Sequence, residues 1–252
     1  MEDPDFPVFD EFQHIDFPLP DETNVEGIIA VGGNLSPGML LSAYSQGAFP
    51  WYSDDEPILW WNPDPRCVLF PERLHVSNRM ERKLRNGNFT IRSDTRFEDV
   101  IKSCAGITRR HEDGTWINSD IIRSYCSLFE LGWAHSIEAW VPADTVAGEY
   151  RNSMQVSDDG YLLAGGLYGI SLGRCFFGES MFSNITDASK AAFISMVRAL
   201  YSLGIEIIDC QITTPHLLSL GAEEISRSEY MSRLADLQKH PDFRGRWKLF
   251  ES

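Results

Sequence analysis

Nowhere in the chain of 252 residues do eighteen apolar residues follow one another, so no membrane-spanning helix is expected. The opening residues Met1, Glu2, Asp3 and Pro4 carry neither the basic start nor the apolar run of a secretory signal, and the expected location is the cytoplasm. CxxC pairs are missing too. The five cysteines, Cys67, Cys104, Cys126, Cys175 and Cys210, are scattered and odd in number, which favours buried reduced thiols over a disulfide framework or redox motif. The six histidines include no HExxH and no Cys/His cluster of zinc spacing, so no metal is expected. Positive charge is scarce: 22 Lys and Arg stand against 37 Asp and Glu, for a net charge of −15. That balance argues against a protein that coats nucleic acid by bulk attraction; a nucleic-acid partner has to be held locally.

What is present is ample apolar mass, 43% of the residues, for a buried core. Residues 1–25 are rich in Pro, Asp, Glu and Phe without periodicity and read as an extended acidic arm that lays aromatic residues onto the body. Ser36 caps a predicted helix from Pro37, with Met39, Leu40, Ala43 and Tyr44 on one face, and Gly47 ends it. A turn at Asn62 to Pro65 leads to a short strand, Cys67 to Phe70, with a domain boundary near Pro71. His75 to Arg85 reads as a basic helix carrying Arg79, Arg82, Lys83 and Arg85, the densest positive patch in the chain.

Phe89 to Arg92 reads as a strand, Arg96 to Ala105 and Ser119 to Leu131 as helices, and His135 to Trp140 as a strand. The polar stretch 141–161 then reads as a hairpin insertion before strand character resumes at Leu162. Arg174 to Phe182 is a predicted strand, Asp187 to Leu203 a strong amphipathic helix, and Ile205 to Thr213 a buried strand. The fold class is α+β: a small N-terminal domain over residues 1–71 and a larger domain over 72–252.

Strand parity locates a candidate site. Side chains alternate along a strand, so Ile205, Ile207, Asp209 and Gln211 fall on one face, and two polar groups interrupt an apolar surface. A buried Asp is commonly a satisfied structural acceptor; Asp followed at i+2 by Gln on a core strand points towards a site. The same count puts Phe177, Glu179 and Met181 on one face of the preceding strand. An unpaired buried carboxylate is expensive, so Glu179 needs a cation such as Arg174 or Lys190, hydrogen-bond donors, or a ligand. Gly178 leaves room there for a close approach by backbone or ligand.

A strand, turn and helix of this kind holds pyrophosphate in acetyl-coenzyme A enzymes. Here the connection Asn184 to Ser189 lacks the R/QxxGxG/A loop and places the acid Asp187 at the helix start, which disfavours coenzyme A. Aromatic residues are the second signal. Trp60 and Trp61 serve equally well as core or as contact surface, whereas Trp51 and Trp116, in Gly- or Pro-flanked loops, are the better candidates to stack on a ligand.

The segments GIIAVGGNLSPGMLLSAYSQGAFPWYS (27–53), PILWWNPDPRCVLFPERLHVS (57–77), GTWI (114–117), LGWAHSIEAW (131–140), GGLYG (165–169), FFGESMFS (176–183), DASK (187–190), IDCQ (208–211) and SLGAEEISRSEY (219–230) occur in the order seen in one family. On these the chain resembles the bacterial leucyl/phenylalanyl-tRNA–protein transferases. The resemblance implies a C-terminal domain of the N-acetyltransferase (GNAT) superfamily fold that works without coenzyme A, other cofactor or metal. It implies transfer of Leu, Phe and, less readily, Met from aminoacyl-tRNA to the N-terminal Arg or Lys of acceptor proteins, a mark for degradation.

Carried over by motif, Trp51 and Trp116 would contact the terminal adenosine, and Phe177 and Met181 would help line the amino-acid pocket. Asp209 and Gln211 would serve the acceptor amine. A neutral amide is a very weak base, so Gln211 is expected to position the amine, with Asp209 in electrostatic support and Glu179 as anionic partner of the cationic acceptor. Asp209→Ala and Glu179→Ala are each expected to abolish transfer and leave the fold intact. The basic helix becomes the expected contact to the acceptor stem, or else a solvated face.

Overall fold

The computed structural model describes residues 2–3, 5–20, 27–106, 116–151 and 154–250. The strands are β1 (Ile28–Val31), β2 (Phe49–Pro50), β3 (Leu59–Trp61), β4 (Arg66–Leu69), β5 (Thr90–Ser93), β6 (Ala134–Pro142), β7 (Tyr161–Leu172), β8 (Cys175–Ser183), β9 (Ile207–Gln211) and β10 (Glu223–Ile225). The helices are α1 (Pro37–Ser45), α2 (Asn78–Arg85), α3 (Phe97–Ala105), α4 (Ser119–Glu130), α5 (Gly148–Arg151), α6 (Ala188–Leu203), α7 (Pro215–Ser219) and α8 (Arg227–Leu237). The architecture is mixed α and β: a small N-terminal region with the sheet β1-β3-β2, and a larger body around the sheet β10-β4-β9-β8-β7-β6-β5.

β7 and most of β6 are buried on both faces because each face of the large sheet is covered by helices. One face carries Phe177, Tyr168, Ile170 and Ile207 against α1, α3 and α4. The other carries Phe176, Leu167, Ile137 and Ile208 against α6, whose Ala191, Ala192, Met196 and Val197 are buried. The first turn of α6 lies directly on β7: a Cβ added at Gly165 would sit 2.8 Å from the Ala188 Cβ, so only glycine permits the approach.

The small region is anchored from both ends of its sequence. The arm threads over α1, with Ile15 N–H donating to Ser42 Oγ and Phe17 N–H to Gln46 Oε1, and Phe17 sets its ring edge-on to the buried Trp60 at 5.0 Å. Ser36 precedes α1 as expected, but its hydroxyl donates to Asn34 and accepts from Phe9 N–H instead of capping the helix. β4, just ahead of the boundary expected at Pro71, is a member of the large sheet, between β10 and β9.

Two local expectations need correction. The basic helix begins at Asn78 and not at His75, because Ser77 Oγ accepts the Met80 N–H as an N-cap. The last buried strand is shorter than predicted: Ile205 still bonds back to Leu200 at the end of α6 and packs with Ile208, not on the face of Ile207. At its other end β9 stops where Gln211 takes a left-handed φ of 61°. Between β6 and β7, residues 143–160 carry a 3-10 turn at Ala143–Thr145, the short α5 and a tight return in which Val156 bridges Leu162; Asn152 and Ser153 lie outside the described residues.

Candidate active site

β8 and β9 are parallel neighbours in a sheet whose other pairings are antiparallel, and their ladder runs only from Cys175↔Ile207 to Phe177↔Asp209. Beyond it both strands change course. On β8, Gly178 pairs with Gly169 while Ser180 pairs with Tyr168, so Glu179 is the extra residue of a β-bulge. On β9 the left-handed Gln211 turns the chain away. The strands part, and a cavity of about 450 Å³ opens between them.

The bulge resets the alternation on which the sequence reading relied. Before it, Phe177 points to the α1 side; after it, Met181 pairs with Leu167 and points to the α6 side. Phe177 and Met181 therefore do not share a face. Phe177 is fully buried against Tyr44, ring centroids 5.2 Å apart, and the cavity wall is formed by its neighbour Phe176. Together Leu167, Phe176, Met181, Phe193, Met196 and Ile208 make an apolar bay. Gly178 also lines it; a Cβ there would reach only to 3.6 Å from Asp209 O, so the missing side chain leaves room in the cavity and is not demanded by a neighbouring chain.

Trp51 and Trp116 stand at the same cavity, each half-buried. Trp51 is braced by Trp61, whose indole N–H donates to Trp51 O at 2.7 Å with the rings 5.5 Å apart. Trp60 is wholly interior, its N–H held by Gly32 O. Gly114 and Thr115 of the GTWI segment lie outside the described residues.

Glu179 reaches the cavity edge and, among the described residues, pairs with no cation. Its carboxylate accepts from Tyr44 OH at 2.7 Å, Tyr125 OH at 3.1 Å and Gln211 Nε2 at 2.9 Å, and the two phenols also touch each other. Burial pushes the Glu179 carboxyl up to about 7, against the three hydrogen bonds that favour its charged form, and the nearby Asp209 charge adds to the rise. Neither Arg174 nor Lys190 is its partner: Arg174 pairs with Glu206.

Asp209 lies behind this layer, fully buried and absent from the cavity lining. Arg66 grips it with Nε at 2.9 Å and Nη2 at 2.6 Å; Tyr230 OH adds a bond at 2.7 Å and the Gln211 backbone N–H one at 2.9 Å. Burial works against the charge of Arg66, but the Asp209 carboxylate outweighs it and raises the guanidinium pKa. The guanidinium is also sandwiched by Phe49 and Tyr230, 4.9 and 4.5 Å from their centroids. The ion pair thus fixes the backbone that presents Gln211, and Gln211 in turn holds Glu179. Asp209→Ala would strand a buried guanidinium, so the intact fold expected of that variant does not carry over.

Sequence reasoning missed Arg66, Tyr44, Tyr125, Tyr230 and Phe176, and the half-buried His216 and exposed Thr214 on the cavity wall. A usable signal existed for one of them: Arg66 opens the otherwise apolar run Cys67-Val68-Leu69-Phe70, and a strand that buries Arg requires a carboxylate.

The basic helix α2 spends part of its charge internally. Lys83 and Arg79 pair with Asp187 at 2.7 and 3.5 Å, at the start of α6, and the Lys83 hydrogen bond pulls the Asp187 carboxyl below its ordinary range. Arg82 and Arg85 are exposed and make no ion pair among the described residues. No group of three metal-ligating side chains occurs among the described residues, and none of their helices is long and apolar enough to cross a membrane.

The cavity thus joins an apolar bay, able to seat an apolar group, to a hydrogen-bonded carboxyl raised to about 7, which is chemically able to exchange a proton near neutrality. The chain belongs to the leucyl/phenylalanyl-tRNA protein transferase family, whose profile matches residues 68–156 and 149–235, with the profile of its N-terminal domain on 33–64. Curated relatives named leucyl/phenylalanyl-tRNA–protein transferase include one from an Anaeromyxobacter species, 48% identical over 94% of this chain and 93% of its own length. Another, from Desulfatibacillum aliphaticivorans, is 47% identical over 96% and 97%, and one from Hahella chejuensis is 46% identical over 98% and 97%. The chain is accordingly an aminoacyltransferase that moves an aminoacyl group from tRNA to protein.

Proposed function

We propose that the chain transfers Leu, Phe and, less readily, Met from aminoacyl-tRNA to proteins whose N-terminal residue is Arg or Lys, in the cytoplasm, and so marks them for degradation. The observation that carries this reading is the single cavity in which the apolar bay, Trp51, Trp116, Glu179 and Gln211 meet. A bay lined by flexible and aromatic side chains, Met181 among them, selects by size and shape and so accepts several unbranched or γ-branched groups. Two indoles at its wall suit a stacked nucleobase, worth about 1–3 kcal/mol each by truncation. The parting parallel pair β8 and β9, with the ligand space between, supports reading the larger body as a GNAT-type fold.

In the proposed reaction the acceptor α-ammonium first loses a proton, its nitrogen attacks the ester carbonyl, and the ester C–O bond breaks as the ribose oxygen leaves with the second proton of the amine. Gln211 positions the amine. Glu179, with its carboxyl at about 7, matches an α-amine of about 7.7–8.0 closely enough to take its proton. Asp209 acts from behind by holding Gln211, and a ribose hydroxyl of the substrate assists the leaving oxygen.

The deciding experiment mixes purified protein with labelled leucyl-tRNA and peptides starting with Arg, Lys or Asp. Label on the Arg and Lys peptides is expected. Label on none of them would refute transfer, and label on the Asp peptide alone would replace the acceptor class.

For the donor, Trp51→Ala and Trp116→Ala should each raise KM for aminoacyl-tRNA about tenfold, by the stacking energy above. Arg79, Arg82, Lys83 and Arg85 are proposed as the contact to the acceptor stem, with Arg82 and Arg85 the available charges. Reversing both to Glu should raise KM for aminoacyl-tRNA several-fold with kcat little changed, and the effect should shrink as salt rises. An unchanged KM at low salt would assign α2 to solvent.

A further inference from the structure

Cys67 on β4 and Cys210 on β9 lie on neighbouring antiparallel strands. Val68 pairs with Asp209 and Cys67 with Gln211, so Cys210 is the extra residue of a second bulge and opposes Cys67 together with Gln211. Both side chains enter the apolar layer on the α6 side, where the Cys210 thiol donates to Ile208 O at 3.7 Å. Facing residues on such strands have Cα atoms about 4.5–5.5 Å apart, inside the range of about 4.4–6.8 Å that a disulfide spans. Cys67 is sealed from solvent, but Cys210 lines the cavity between Asp209 and Gln211. The remaining cysteines enter no such pairing: Cys104 and Cys175 are buried apart, and Cys126 sits on α4.

We propose that Cys67 and Cys210 form an oxidation site, in which a small hydroperoxide admitted through the cavity converts the two thiols to a disulfide that switches the enzyme off. The first step is attack of the Cys210 sulfur on a peroxide oxygen: the O–O bond breaks, the thiol proton leaves with the alcohol or water, and Cys210 becomes a sulfenic acid. Cys67 sulfur then attacks the Cys210 sulfur, the S–S bond forms, the S–O bond breaks, and hydroxide leaves as water with the Cys67 proton. Two electrons pass from the thiols to the peroxide. The neighbouring thiol lowers the Cys67 proton affinity, which suits Cys67 to the second, resolving attack, while the same neighbour and burial raise that of Cys210.

The disulfide draws Cys210 towards β4 and reshapes the bulge. Gln211 follows directly in sequence, held at φ 61° by its N–H bond to Asp209, and cannot keep both that conformation and its 2.9 Å bond to Glu179. The loss of transfer rests on the function proposed above; formation of the disulfide does not.

The test treats the purified full chain with hydrogen peroxide, maps thiols by peptide mass and assays leucyl transfer before and after dithiothreitol. Expected are a linked Cys67–Cys210 peptide, loss of two of the five thiols, a fall in transfer of at least tenfold and its recovery on reduction. Cys67→Ala, with its starting activity intact, should form no disulfide and should trap a sulfenic acid at Cys210 with dimedone. Absence of the linked peptide after peroxide, or its presence with transfer undiminished, would overturn the proposal. A chain that transfers nothing before peroxide refutes the function, and the peptide map still decides the site.

Discussion

Glu179→Gln is expected to lower kcat/KM for the acceptor by about 10²–10⁴-fold, the range in which a positioned proton acceptor contributes. The wild-type profile should rise with pH through about 7, as the carboxyl loses its proton, and that limb should vanish in the variant. Survival of the limb would assign the titration to another group and leave Glu179 as an anionic anchor.

The same carboxyl predicts a stability signature with the opposite direction. Its folded pKa of about 7 lies above its ordinary 4.5, so the native state binds the proton more strongly than the unfolded chain between those values. Stability is therefore lost as pH rises through that window, by about 3 kcal/mol for a shift of this size. Glu138, also buried and raised to about 7, titrates in the same window, so the informative quantity is the difference between wild type and Glu179→Gln. That difference should favour the variant increasingly from pH 5 to pH 8 in urea unfolding.

Arg66→Met is expected to destabilise the protein by about 3–5 kcal/mol, since it leaves the Asp209 carboxylate buried with only Tyr230 and a backbone N–H. Combining it with Asp209→Leu should recover most of that loss, because well-packed apolar residues commonly replace a buried ion pair without penalty. Transfer should not return in the double variant: Gln211 would have lost the acceptor that sets its backbone. Recovery of activity together with stability would reduce the pair to a packing element.

These two expectations show where the sequence was readable. Local features were: the amphipathic period of α6 and the Pro37 start of α1 follow from adjacent residues. The failures come from events that alternation cannot register. One inserted residue at Glu179 sent Met181 and Phe177 to opposite sides, and one left-handed residue at Gln211 ended a strand predicted to continue. Partners distant along the chain were invisible for another reason. Arg66 and Asp209 are 143 residues apart, and Tyr44 reaches Glu179 across 135, so nothing in either neighbourhood names the other.

The position of β4 inside the larger sheet bears on how the gene can be cut. β4 belongs by sequence to the first part of the chain, yet it is the strand that covers β9 and delivers Arg66 to Asp209. A fragment beginning after it would expose the hydrogen-bonding edge of β9 and bury a carboxylate with no counter-ion, a sticky and unstable product. The two halves are therefore not interchangeable cassettes: grafting the N-terminal part of one relative onto the rest of another transplants the counter-ion of a carboxylate buried in the other.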